Sequence, residues 1–292
     1  MDRLPDDVHF LAWNGLSLTR PAGWELAALG RERLQLADGL KTVLDVRWNR
    51  IRGRFSFDAH LRRLAKAHGR ASDGIKPLDG PPGWSPAEGL EARAFAWGGP
   101  DAGGLGALLF HAASSTAILA QCGGPAEQTA SVLGSLRCHL AEAFVPWAVY
   151  DLRALTPGDH GLEEYSLQPG RYRLILRHKE QRLILHRLAP ADVLLAGHDL
   201  VHWSRAHFKA LVSRHGLMVE ETGEPESVTW RSPLPPGRLT RTAALALRRP
   251  AYAYLRVWKP EGRNRLLCVE ARGMRPLDEA MIKKVVEAYG TV

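Results

Sequence analysis

Residues 30–48 read GRERLQLADGLKTVLDVRW, and residues 170–188 read GRYRLILRHKEQRLILHRL. Laid over one another without a gap, Gly30, Arg31, Arg33, Leu34, Leu36 and Arg47 fall on Gly170, Arg171, Arg173, Leu174, Leu176 and Arg187. Val43 and Leu44 fall on Leu183 and Ile184. The correspondence runs outward in both directions. Upstream, Trp13, Leu16 and Leu18 face Trp147, Tyr150 and Leu152. Downstream, AHLRRLAKAHG (59–69) faces AHFKALVSRHG (206–216), and Leu108 and Phe110 face Leu255 and Val257. Self-similarity over this length reads as two diverged copies of one unit. The joint falls near residues 140–146, which divides the chain into 1–142 and 143–292.

Each copy carries the same order of signals. Alternate apolar positions (Leu16 and Leu18; Tyr150 and Leu152) suggest an opening strand that stops at Pro21 or at Pro157-Gly158. Two strands follow, split by Ala37-Asp38-Gly39 in one copy and by His178-Lys179-Glu180 in the other. A helix, a Pro/Gly-rich passage (72–89 and 222–237), three strands and a closing helix complete the unit. In the first helix Phe57, Leu61, Leu64, Ala65 and His68 recur on one face; its counterpart presents Ser204, Phe208, Leu211, Val212 and His215. His68 and His215 then stand in the last turn, each before a glycine suited to a helix C-terminus, where imidazole can meet free carbonyls. His60 and His68 are too far apart along such a helix, about 12 Å, to share a metal. The paired histidines therefore read as marks of ancestry and packing.

Residues 103–124 lack acidic and basic side chains and imitate a membrane span. The repeat argues otherwise. ALLFHAASSTAILAQC (107–122) corresponds to AYLRVWKPEGRNRLLCVE (253–270), so Ala-Ala-Ser-Ser meets a charged turn, and two amphipathic strands fit both copies.

Bulk properties narrow the class. The chain has 292 residues, 45% hydrophobic and 24% charged, which is ordinary for a globular protein. Cys122, Cys138 and Cys268 form no C-x-x-C pair and no disulfide framework; reduced cysteines and the absence of a secretory pattern in Met-Asp-Arg-Leu-Pro-Asp-Asp suggest a cytoplasmic protein. The net charge of +8 is uneven: 16 basic against 15 acidic residues in 1–142, and 23 against 16 in 143–292. A nucleic-acid-binding role for the basic second half is one reading of that excess.

GLSLTRPAGWEL (15–26) resembles the opening strand and Pro-x-Gly-Trp turn of the PsbP-like fold, which includes DcrB-type lipoproteins and the effector-associated chaperones of type VI secretion. VLGSLR (132–137) is similar to that family's terminal helix. The resemblance covers residues 10–140, and reaches 145–292 through the internal repeat, where the turn has become Pro157-Gly158-Asp159. It implies binders and chaperones and transfers no catalytic residue.

Candidate chemistry is sparse. GHDLVHWSRAH (197–207) places His198 and His202 at i, i+4, close enough on a helix to reach one ion, with Asp199 and His207 nearby. The first copy has no histidine there, and solvated histidines at a helix start explain the stretch as well. Cys122-Gly-Gly-Pro lacks a recognisable base and lies on an apolar strand. GGPDAGGLG (98–106) has no Walker lysine and reads as a loop. Of nine tryptophans, Trp13, Trp24, Trp147 and Trp203 read as core; Trp48, Trp84, Trp97, Trp230 and Trp258 are less constrained, and aromatics beside Arg231 or Arg256 would make a binding patch.

The expectation is therefore an α+β fold: two tandem antiparallel sheets, each with helices on one face, arranged as a pseudo-dimer. The expected function is non-enzymatic, with an unidentified protein partner, as adaptor, chaperone or accessory subunit. No catalytic, cofactor-binding or metal-binding residue is assigned. Nucleic-acid binding by the second copy, or a metal-dependent site between the copies, are the alternatives.

Overall fold

The computed structural model describes residues 8–68, 74–78, 84–98, 103–220, 226–233 and 250–291. The chain folds as two compact units, Met1–Ala148 and Val149–Val292. The first contains β1 (Val8–Trp13), β2 (Leu16–Pro21), β3 (Trp24–Gly30), β4 (Arg33–Asp38), β5 (Lys41–Arg50) and α1 (Phe57–His68). It continues through β6 (Ile75–Leu78), β7 (Leu90–Trp97), β8 (Gly104–His111), β9 (Thr116–Cys122), α2 (Ala126–Ser135), β10 (Arg137–Cys138) and β11 (Phe144–Val149). The second contains β12 (Leu152–Pro157), β13 (Gly161–Gln168), β14 (Arg171–His178), β15 (Gln181–Leu188), α3 (Ala191–Leu195), α4 (Leu200–His207) and α5 (Lys209–His215). After these come β16 (Met218–Glu220), β17 (Ser227–Arg231), β18 (Tyr252–Trp258), β19 (Leu266–Gly273), α6 (Glu279–Ala288) and β20 (Gly290–Thr291).

Each unit holds one seven-stranded antiparallel sheet, and the two share a strand order: β3-β4-β5-β9-β8-β7-β6 and β13-β14-β15-β19-β18-β17-β16. The α+β expectation, with helices on one face and a pseudo-dimer, is corrected. Among the described residues strand makes up 50% and helix 22%, and the strands fall into three sheets of a β-rich fold. Two local signals account for much of the difference. Asn14-Gly15, both with positive φ (43° and 89°), closes a tight hairpin between β1 and β2, so the opening segment is two strands. Tyr150 likewise turns through positive φ (51°) and is exposed, so its strand starts only at Leu152.

Helices also lie on both faces of each large sheet. In the second unit Ala253, Leu255 and Val257 pack with Trp203, Phe208 and Leu211 under α4 and α5. The alternate residues Tyr254, Arg256 and Trp258 face α6. In the first, Leu108 and Leu119 line one cavity with Leu64 of α1, whereas Cys122, of opposite parity, meets Thr129 of α2.

The gapless overlay fails at one place. A bulge between Leu36 and Ala37 inserts a residue into the β4–β5 ladder, so Arg33 sits opposite Arg47 but Arg173 sits opposite His186. A one-residue slip turns a side chain to the other face. Arg47 is half-exposed beside Asp45, while Arg187, its overlay partner, is buried on the opposite face against Asp151. The apparent membrane span is the β8–β9 hairpin, as its counterpart is β18–β19. Among the described residues no helix is long and apolar enough to cross a membrane.

Candidate functional site: an aromatic–arginine groove along α6

The strand YAYLRVW (252–258) alternates strictly. Ala253, Leu255 and Val257 are spent on the core, and the same period delivers Tyr252, Tyr254, Arg256 and Trp258 together on the other face. β17 adds Arg231, directly opposite Tyr254. α6 lies across this face. Asp278 caps its first turn by accepting from Met281 N–H at 3.0 Å, and Glu279 adds the negative charge that a helix N-terminus favours. Ile282 and Val285 point into the sheet and are buried, which leaves Glu279, Lys283 and Glu287 along the rim.

Between strand and helix runs a groove of about 560 Å³ whose floor is Tyr254, Arg256 and Trp258 and whose walls include Arg231, Lys283 and Val286. Next to it is an apolar recess of about 110 Å³ lined by Tyr252, Leu277 and Ile282. The side chains are held in place. Trp258 meets Tyr289 edge-on at 5.7 Å, the Arg256 guanidinium lies 6.0 Å from the Trp258 ring, and Arg231 lies 5.5 Å from Tyr254. Arg231 is also clamped by Glu220 and Glu279, each at 2.7 Å. Burial raises the Tyr254 hydroxyl above its usual value, so it stays a neutral donor. The groove thus offers flat aromatic area and fixed guanidinium donors, with opposite charges on its rim.

The histidine readings resolve differently. His198 and His202 do come together, their rings stacked at 4.5 Å, but α4 begins only at Leu200, and the Asp199 carboxylate caps it through His202 N–H at 2.6 Å. His207 stacks on Trp203 instead, at 4.6 Å. Among the described residues no three His, Cys, Asp or Glu side chains are grouped to hold a metal. At the end of α5 the carbonyl of Val212 is met by the N–H groups of Gly216 and Leu217, and the backbone caps itself without His215. The His68 side chain and Gly69 lie outside the described residues, as do parts of the two Pro/Gly-rich passages and of the 98–106 loop. His60 Nδ1–H donates to the Ser56 carbonyl, 2.8 Å away, just before α1. Cys122 is fully buried, and burial pushes its thiol up to about 12, which removes it as a nucleophile at neutral pH.

Trp13, Trp24, Trp147 and Trp203 are core residues, and so are Trp48 and Trp230. Of the remaining three, Trp258 joins Arg231 and Arg256 at the groove. Tyr254 and the residues of α6 were missed in the sequence, although the alternation of 252–258 carries the signal for the strand half. Part of the basic character of the second half is paired: Glu163 holds Arg177 and Arg182, Asp151 holds Arg187 and Arg265, and Glu270 holds Arg272.

No family model matches the chain, so the resemblance to the PsbP-like fold finds no support there, and no curated protein matches it. Similar solved structures include two forms of one protein. One is the type VI secretion immunity protein TplEi of Pseudomonas aeruginosa complexed with an "L" peptide: 10% identity, 98% of each chain covered, TM-score 0.29. The other is the apo form of TplEi, at 10% identity, 97% of each chain and a TM-score of 0.28. Superpositions this loose do not define a shared fold.

Proposed function

We propose that the protein is a non-enzymatic protein-binding module and that its partner docks in the groove along α6. One observation carries this reading: Tyr254, Trp258, Arg231 and Arg256 converge on a single concave surface. Tyr, Trp and Arg are the residues that dominate binding energy at protein interfaces, where large rigid side chains gain area at small entropic cost. The charged rim of Glu279, Lys283 and Glu287 supplies the polar border such interfaces carry. Adaptor, accessory subunit and secretion-effector chaperone are narrower versions of the role. A permanent subunit stays with its partner in fixed proportion through gel filtration, whereas a chaperone releases its client.

The test is a pull-down from native lysate at low and high salt, with the tagged protein beside its Arg256→Glu/Lys283→Glu variant and mass spectrometry as the readout. A stoichiometric protein retained by the wild type at high salt and lost by the variant supports the reading. Identical recoveries from both, or none from either, overturn it.

A further inference from the structure

Three arginines lie side by side across the second sheet. Arg177 of β14 sits directly opposite Arg182 of β15, and Arg182 directly opposite Arg272 of β19. Directly opposed residues share a face, so the three guanidiniums project the same way, and like charges so placed repel. Their carboxylate partners compensate unequally. Glu163 grips Arg182 with both oxygens, at 2.8 and 2.9 Å, but reaches Arg177 only at 3.4 Å. Glu270 holds Arg272 from the buried side. Lys179, in the turn after β14 with a left-handed backbone (φ 51°), brings a fourth cation, and no ion pair among the described residues takes its ammonium.

We propose that this place is a binding site for a small polyanion of the phosphate class. The four cations line a cavity of about 420 Å³ with one carboxylate, Glu180, at its edge. That volume is of the size that small-molecule sites have. With strands about 5 Å apart, the outer two arginines stand about 10 Å apart at the backbone, room for two linked phosphoryl groups between them. Guanidinium forks match phosphoryl oxygens two by two, and the Lys179 ammonium adds a point charge. Arg177 and Arg182 keep about half of their side-chain surface exposed (54% and 50%), so their outer donors remain open to a ligand. In the first sheet the strand in the place of β19, β9, carries no charged residue.

The ligand's source is either a soluble phosphorylated compound or a lipid phosphate headgroup, and the experiment separates them. Calorimetric titration of the full chain with inorganic pyrophosphate at low ionic strength is expected to show saturable binding. Arg177→Gln/Lys179→Asn should weaken it at least about tenfold, the loss of one to two charge-assisted hydrogen bonds. Both positions are on the surface, asparagine tolerates the left-handed turn, and circular dichroism checks the fold. Arg256→Gln, in the α6 groove, should titrate like the wild type. Absence of saturable binding, or equal binding by the double variant, overturns the proposal. In a second arm, sedimentation with phosphatidic-acid vesicles that pyrophosphate reverses assigns the headgroup. Pyrophosphate binding without sedimentation assigns a soluble ligand, and sedimentation that pyrophosphate leaves untouched counts against the cavity.

Discussion

In the first sheet Arg33 and Arg47 face each other across β4 and β5, and Asp45 bridges both, at 2.7 and 2.8 Å. In the second sheet Arg177 and Arg182 face each other across β14 and β15, bridged by Glu163. The sheets have the same strand order and solve the same repulsion in the same way, with one carboxylate for two guanidiniums. They part company on the next strand. β9 is uncharged, whereas β19 adds Glu270 and Arg272, and the Glu270 carboxylate is only 3% exposed. The sheets also differ in which face is filled. Under α1, Leu64, Leu108 and Leu119 border a cavity of about 480 Å³, whereas Trp203, Phe208 and Leu211 fill the corresponding face of the second sheet. There the open groove is on the other side, under α6. Equal strand order therefore does not imply equal sites; the helices and a few charged substitutions decide which face is left to bind.

The largest effect should come from Glu270. Its carboxylate faces Arg272 and His186 in the interior, 3.7 Å from the imidazole. Glu270→Ala strands a guanidinium and is expected to cost about 3 kcal/mol, read from urea unfolding, because breaking one side of a buried pair leaves a charge without compensation. A loss as small as that of a surface pair would mean Arg272 simply swings into solvent. In the first sheet the sensitive point is Gly104, where an added Cβ would lie 2.0 Å from the Cys122 carbonyl oxygen. Gly104→Ala is expected to cost about 2 kcal/mol by forcing β8 and β9 apart.

Acid should separate the units next. Burial alone would raise the Glu270 pKa, yet the His186 and Arg272 side chains hold it below the usual range. A depressed carboxylate stabilises the fold above its unfolded value of about 4.3, and that contribution is lost as pH falls through the folded value. Burial depresses His207 and His215. These groups resist protonation in the fold, so stability is full above about pH 6.5 and declines below it. In the first unit Asp45 is depressed by Arg33 and Arg47 against the opposing pull of burial, and contributes only an acid step below about pH 4. Unfolding followed from pH 7.5 to 3.5 should thus show a decline near pH 6.5 that His207→Gln/His215→Gln removes. The smallest effect is reserved for Asp45→Ala: at a largely solvated cluster the urea midpoint should barely move, in contrast to Glu270→Ala. A comparable loss would erase the distinction between the two sheets.

Much of this was legible. The hairpin around His178-Lys179-Glu180, the β8–β9 hairpin behind the false membrane span, the tryptophan core and the Arg231, Arg256 and Trp258 patch all follow from local alternation and turn chemistry. Asn14-Gly15 was equally legible, and without its turn the strand before it, Val8–Trp13, goes unread. The helices-on-one-face arrangement was not carried by any such signal and was corrected, and the family resemblance found no matching family model.

By itself, then, the sequence determined where strands turn and which side of each strand is apolar, because period-two patterning and turn propensity act within a few residues. Only the tertiary structure decided register. A bulge at Leu36/Ala37 sends Arg47 and Arg187 to opposite faces, and Arg272, far along the chain, comes to stand opposite Arg182. Register is settled between strands, by the packing of whole faces and helices, and no stretch of the chain contains that information alone.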